Sequence, residues 1–179
     1  MGAGYGMIAA MNERDVLELL STAGIAYQRY DHPAVFTSAA SAACLADAPG
    51  VEGKNLFLCD KRGRRFYLLM TLEEKRVDLK SWGEQEGLGK LRFAAPEHLE
   101  ELLGVSRGAV GPLALINDWQ HRIEVYADRE LWCQPVVRCH PLVNTASLII
   151  ATRDMQRFFE LTGHIFQLVD VPSMNQSSL

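Results

Sequence analysis

Three short stretches of this chain carry groups suited to chemistry. The first is Gly53-Lys54-Asn55, where a cation and an amide stand at the start of an apolar run. The second is Gly108-Ala109-Val110-Gly111-Pro112, a G-x-x-x-P segment whose glycines leave backbone N–H groups open to a ligand. The third runs from His140 to Ala146 and places an imidazole, the Asn144 amide and the Thr145 hydroxyl close together. A fixed cation can place a charged substrate, and amide donors can hold a developing oxyanion. An imidazole with an ordinary pKa near 6.5 can orient or activate water. Each stretch also has a plainer reading. Lys54 can be a solvated edge lysine, Gly108 to Pro112 a turn, and His140 a histidine satisfied by a carbonyl.

The elements around these stretches follow from periodicity and punctuation. Leu56-Phe57-Leu58 and Phe66 to Met70 flank the charged turn Lys61-Arg62-Gly63-Arg64, which predicts a β-hairpin entered at Lys54. Asn12 caps a helix that Gly24 ends, and Tyr27 to Asp31 reads as a strand closed by His32-Pro33. Thr37 and Ser38 are caps for a small-residue helix over Ala39 to Ala46, and Asp78 for one reaching Glu86. Leu91 to Phe93 is strand-like. Pro96 opens a helix to Leu103, with Gly104 as its C-terminal cap. The run Leu113 to Ile116 after the glycine-rich loop predicts a strand. So do Ile123 to Tyr126, Val136 to Cys139 and Ser147 to Ala151. Asp128 starts one helical turn, Thr152 caps a last helix ended by Gly163, and Ile165 to Val169 closes the core. Strands outnumber helices and often adjoin without helical crossovers. The expected fold is α+β, a single domain with a mixed, largely antiparallel β-sheet flanked by helices. Its expected limits are residues 12–171, between a flexible leader at 1–11 and a polar tail at 172–179.

Composition narrows the function classes. The chain has 179 residues, 48% apolar and 22% charged, the proportions of an ordinary soluble globule. No run approaches the roughly 18 apolar residues of a membrane span, and the first residues are too short and uncharged for a secretory signal. Cys44, Cys59, Cys133 and Cys139 lack the spacing of a disulfide framework or a zinc ribbon, so reduced thiols and a cytoplasmic location are expected. A net charge of −4 argues against coating duplex DNA, although Lys61, Arg62, Arg64 and Arg65 permit contact with a limited piece of a polyanion. P-loop, GxGxxG and HExxH signatures are all absent.

Taken together and in order, the three stretches resemble the aminoacyl-tRNA synthetase-associated editing domain, the family of the domain inserted in bacterial prolyl-tRNA synthetase and of its free-standing relatives. The resemblance runs from about Asn12 to Val171. It also takes in His32-Pro33, Val77-Asp78-Leu79-Lys80, Leu91-Arg92-Phe93-Ala94, Leu103-Gly104 and Thr162-Gly163-His164. The family's lysine and G-x-x-x-P loop are intact at Lys54 and at Gly108 and Pro112.

The resemblance implies hydrolysis of mischarged tRNA(Pro), with Ala-tRNA(Pro) favoured over Cys-tRNA(Pro), and it implies no metal and no cofactor. It implies an aminoacyl-tRNA acceptor end as partner, with prolyl-tRNA synthetase a further candidate and no membrane or sequence-specific duplex DNA. A synthetase cannot fully reject a smaller amino acid by binding alone, because a methylene is worth only about 1–3 kcal/mol, so a second hydrolytic site is a physical solution. Lys54, Gly108, Gly111 and His140 are the expected catalytic group. The loop amides hold the ester oxygen, Lys54 orients the substrate, and His140 positions water or acts as general base. Asn55, Ala109, Val110, Pro112, Leu142, Asn144, Thr145 and Ala146 are the expected substrate-binding residues, with Leu142 and Ala146 forming a small amino-acid pocket. A non-catalytic regulator binding tRNA or DNA is the competing class. It would need a recognition helix rich in basic or amide residues, which the Leu-, Ala- and Glu-rich helices do not supply.

Overall fold

The computed structural model describes residues 10–174. The predicted leader and tail therefore lie largely outside the described residues. Chain order begins with helix α1 (Glu13–Thr22), whose start is a reciprocal capping box. The Asn12 side chain accepts from Arg14 N, and Asp15 Oδ2 accepts from Asn12 N. Strand β1 (Tyr27–Asp31) follows, then α2 (Ser38–Cys44) and the hairpin β2 (Gly53–Asp60) and β3 (Phe66–Leu72). Next come α3 (Leu79–Gln85), the short β4 (Leu91–Phe93) and α4 (Pro96–Leu103), which ends on a left-handed Gly104. A 3-10 turn (Pro112–Asn117) leads to β5 (Ile123–Asp128), α5 (Arg129–Trp132), β6 (Val136–Cys139) and β7 (Ala146–Ala151). The last elements are α6 (Thr152–Thr162) and β8 (Phe166–Val169).

The fold is α+β, as expected, but the strands form two sheets instead of one. β1, β7 and β6 make an antiparallel sheet of three. β4, β2, β3, β5 and β8 make a mixed sheet of five, antiparallel on the hairpin side and parallel from β3 to β8. Its central strand is apolar on both faces because both are covered. Phe66, Leu68 and Met70 join the main core with Val16, Leu20 and Phe158, while Tyr67 and Leu69 pack with Trp82, Tyr126 and Val169.

Two local expectations are corrected. Leu113 to Ile116 is not a strand. Pro112 starts a 3-10 turn there, and Leu113 and Leu115 enter the main core from it. Thr152 does not cap α6. It is the first helical residue, and its hydroxyl donates to the Gln134 carbonyl. No helix among the described residues is long and apolar enough to cross a membrane.

Candidate active site

The site forms where the five-stranded sheet is incomplete. β4 pairs with β2 only over Leu58 to Asp60, so the Gly53 to Phe57 half of β2 has no strand on that side. Asp60 N donates to Arg65 O and Glu73 N donates to Glu52 O, which marks the even-numbered residues as those bonded to β3. In an antiparallel ladder the odd-numbered residues then turn their main-chain groups outward. Those are Gly53, Asn55 and Phe57, and Phe57 O indeed accepts from Ala94 N at 3.0 Å.

A cavity of about 390 Å³ lies against this open edge. Lys54, Asn55, Gly108, Val110 and His140 all line it, so the three sequence stretches meet in one place. Asn55 Nδ2 donates to Val110 O at 3.2 Å and so ties the strand to the glycine-rich loop. A methyl group placed on Gly111 would sit 3.8 Å from both Asn55 Nδ2 and His140 N. Gly111 is itself buried, and a methyl there would meet these neighbours at ordinary contact distance.

The Gly108 loop is shaped by a close backbone approach. Gly108 has φ +94°, and a Cβ there would lie 2.9 Å from Val35 O. Asn144 pins the same segment from the other side: Val35 N donates to Asn144 O at 3.0 Å, and Asn144 Nδ2 donates to Val35 O at 2.8 Å. Not every loop amide is available. Ala109 N donates to Ser106 O at 3.1 Å and Ala109 is buried, which corrects its expected contact with a ligand. The N–H groups of Gly108, Val110 and Gly111 have no protein acceptor among the described residues.

Lys54 anchors its ammonium on two carbonyls. Nζ donates to Glu73 O at 2.7 Å and to Lys75 O, both in the turn after β3. It makes no ion pair among the described residues. An ammonium has three donors, so two anchors leave one N–H for a ligand.

His140 Nδ1 lies 2.8 Å from Ala146 O, which makes Nδ1 the protonated nitrogen and leaves a lone pair on Nε2. Burial depresses its pKa below the ordinary histidine range, opposed by the Ala146 carbonyl and assisted by His32. Ser147 Oγ bridges the two imidazoles, 3.0 Å from His32 Nε2 and 3.4 Å from His140 Nδ1.

Besides Ala109, six expected site residues are not in the cavity wall: Gly111, which is buried, Asn144, whose side chain is spent on Val35 O, and four others. Leu142 adopts a left-handed conformation with φ 64° and is buried in the main core. Ala146 is fully buried and serves His140 through its carbonyl. Thr145 is exposed and accepts from His32 N through its carbonyl, and Pro112 is buried at the start of the 3-10 turn. The apolar part of the wall comes instead from Leu56, Phe57, Leu99 and Val110.

Sequence reasoning missed Glu52, Arg138, Ser147, Phe36, Phe93 and Arg107, all of which line the cavity. Ser147 and Arg107 were reachable as immediate neighbours of Ala146 and Gly108. Arg138 is nearly buried, with Nε donating to Pro49 O at 3.1 Å and Nη1 3.7 Å from Glu52 Oε2.

Comparison with known proteins places this arrangement. The family described as "Aminoacyl-tRNA editing domain" matches residues 32–158. The chain is 34% identical over 165 residues to "Prolyl-tRNA synthetase associated domain-containing protein 1" of Danio rerio, covering 90% of this chain and 89% of that one. It is 32% identical over 118 residues to "Prolyl-tRNA editing protein ProX" of Acetoanaerobium sticklandii, covering 66% of this chain and 72% of that one. A solved structure described as a candidate trans-editing enzyme for prolyl tRNA synthetase superposes with a TM-score of 0.68 at 25% identity, over 94% of this chain and all of that one. With the family matched across most of its length, this chain belongs to the aminoacyl-tRNA editing domain family.

Proposed function

We propose that this chain is a cytoplasmic trans-editing hydrolase that deacylates mischarged tRNA(Pro), with Ala-tRNA(Pro) as its substrate and prolyl-tRNA synthetase as the enzyme whose errors it clears. The observation that carries the reading is the meeting of Lys54, Asn55, Gly108, Val110 and His140 around one cavity. The similarity to ProX and to the prolyl-tRNA synthetase associated proteins supports the choice of tRNA.

The bond to be cut is a ribose ester, already activated, so the site has to orient it, supply water and hold the oxygen that gains charge. Water oxygen bonds to the carbonyl carbon, the bond from that carbon to the ribose oxygen breaks, and the ribose oxygen takes up a proton. Free amide N–H groups of the Gly108 to Gly111 loop receive the developing oxyanion. Asn55 and the Nε2 lone pair of His140 place the ribose or the water. The substrate's own 2′-hydroxyl assists proton transfer. Lys54, anchored by two carbonyls, presents its remaining N–H as a fixed cation to the ester region or the terminal phosphate.

The test is a deacylation panel of Ala-tRNA(Pro), Cys-tRNA(Pro) and Pro-tRNA(Pro). Cleavage of the alanyl ester with Pro-tRNA(Pro) spared is expected. Preference for the cysteinyl ester would reassign the substrate within the family. Cleavage of none would leave a non-catalytic tRNA binder.

A further inference from the structure

We propose that Phe36 and Phe93 form a stacking clamp at the cavity mouth for the unpaired 3′ end of an RNA strand. The inference rests on the editing reading for the identity of the RNA, and on the two rings for the mode of binding. Both rings line the cavity, yet they are 68% and 60% exposed. Neither contacts another aromatic ring among the described residues, whereas Phe57, Phe66, Phe158 and Phe159 all do.

Both rings are carried by fixed backbone. Phe36 Cα lies 3.3 Å from the position of a Gly108 Cβ, so it is seated on the glycine-rich loop. Phe93 ends β4, paired with Leu58, and the next residue donates from Ala94 N to Phe57 O. The platforms therefore come from two separate elements that line one cavity.

Charge selects the occupant. Arg107 lines the same cavity, whereas Arg92, next to Phe93 on β4, turns to the opposite face of the sheet and reaches Gly63 in the hairpin turn. Both are exposed, and neither makes an ion pair among the described residues. The chain as a whole is acidic, so an unpaired arginine in the same cavity as two exposed rings is a local feature. Flat apolar faces with a free guanidinium group in the same cavity suit bases and phosphates of a single strand, and stacking of this kind tolerates any base. Arg92 joins Arg62 and Arg64 at the hairpin turn, which begins about 20 Å along β2 from Lys54 at roughly 3.4 Å per residue. That distance gives the strand's phosphates a path outward.

The experiment is fluorescence anisotropy with a 5′-labelled RNA hairpin ending in an unpaired ACCA tail, beside the same hairpin with a blunt end. Wild type should bind the tailed RNA more tightly. Phe36→Leu and Phe93→Leu should each weaken it about tenfold, as the loss of one stacked base does, while tryptophan at either position retains it. Leucine variants that bind like wild type, tryptophan variants as weak as leucine, or no preference for the tail would overturn the clamp. Deacylation of Ala-tRNA(Pro) is measured in parallel. Hydrolysis whose KM ignores both rings removes the clamp and keeps the editing reading. Ring-dependent binding of the tail without hydrolysis of any charged tRNA does the reverse.

Discussion

The main-chain carbonyl of Lys75 anchors the ammonium of Lys54, while the ammonium of Lys75 is buried 2.7 Å from Asp128 Oδ2. One lysine is thus structural and holds the turn that positions the other. Asp128 Oδ2 also accepts from Thr71 Oγ1 at 2.8 Å, and Lys75 Nζ donates to Val171 O at 3.0 Å. Replacing Lys75 by methionine leaves a buried carboxylate without its cation, a change that costs about 3–5 kcal/mol. Lys75→Met should therefore lower the urea midpoint strongly, and adding Asp128→Asn should recover part of the loss. Lys54→Met removes only side chain to carbonyl hydrogen bonds, about 1 kcal/mol each. It should leave the fold intact and reduce kcat/KM on Ala-tRNA(Pro) at least tenfold. Wild-type turnover in Lys54→Met would remove the lysine from the mechanism.

Gly108 and Gly111 should separate under the same substitution. Gly111 has an extended backbone with φ −169°, and a methyl group there meets its neighbours at 3.8–3.9 Å, ordinary contact distance. Gly111→Ala should fold like wild type but place a methyl between Asn55 and His140, and activity should fall at least tenfold. Gly108 is left-handed and has a carbonyl in the way, so Gly108→Ala should lose about 1–3 kcal/mol of stability. Thermal melts beside deacylation rates read the two effects independently. A destabilised Gly111→Ala would mean that its role is packing.

Much of this was legible before the structure, for reasons that differ by element. The β2–β3 hairpin announces itself through two apolar runs around a charged turn with Gly63, and α4 through Pro96 at its start and Gly104 at its end. The 3-10 turn was misread because a short apolar run looks the same in a buried strand and a buried turn. Pairing of strands into two sheets depends on long-range register that no local pattern encodes. Lys54, Gly108 and His140 could be named from type and order. That Ala109 donates to Ser106, that Leu142 is in the core, and that Phe36 and Phe93 are exposed are all consequences of tertiary packing.

Glu52 offers a stability test at the back of the cavity. Its Oε2 has no hydrogen-bond partner, and burial raises the carboxyl pKa, with Ser41 and Arg138 pulling the other way. The native state therefore holds this proton more tightly than the unfolded chain. Stability from the group is complete below the unfolded pKa of about 4.3 and is lost as pH rises through the raised value. Glu52→Gln cannot ionise. Its melting temperature should gain on wild type as pH rises from 4 to 7, and a gap that shrinks over that range would contradict the assigned burial cost.

The pH–rate profile addresses His140. Its pKa is depressed by burial, so the imidazole is neutral above the ordinary histidine value, with the proton fixed on Nδ1 by Ala146 O. Whether Nε2 orients the water or accepts its proton, protonation of Nε2 abolishes the function. kcat/KM for Ala-tRNA(Pro) should be level between about pH 7 and 8 and fall tenfold per unit below an apparent pKa under 6.5. His32 contributes to the depression, so His32→Gln should move the acid limb toward higher pH. His140→Gln divides the two roles. Glutamine still accepts a hydrogen bond from water, so a purely positioning role leaves measurable turnover without the acid limb. A general base cannot be replaced this way, and its loss costs about 10²–10⁴-fold. An acid limb that survives in His140→Gln would assign it to another group.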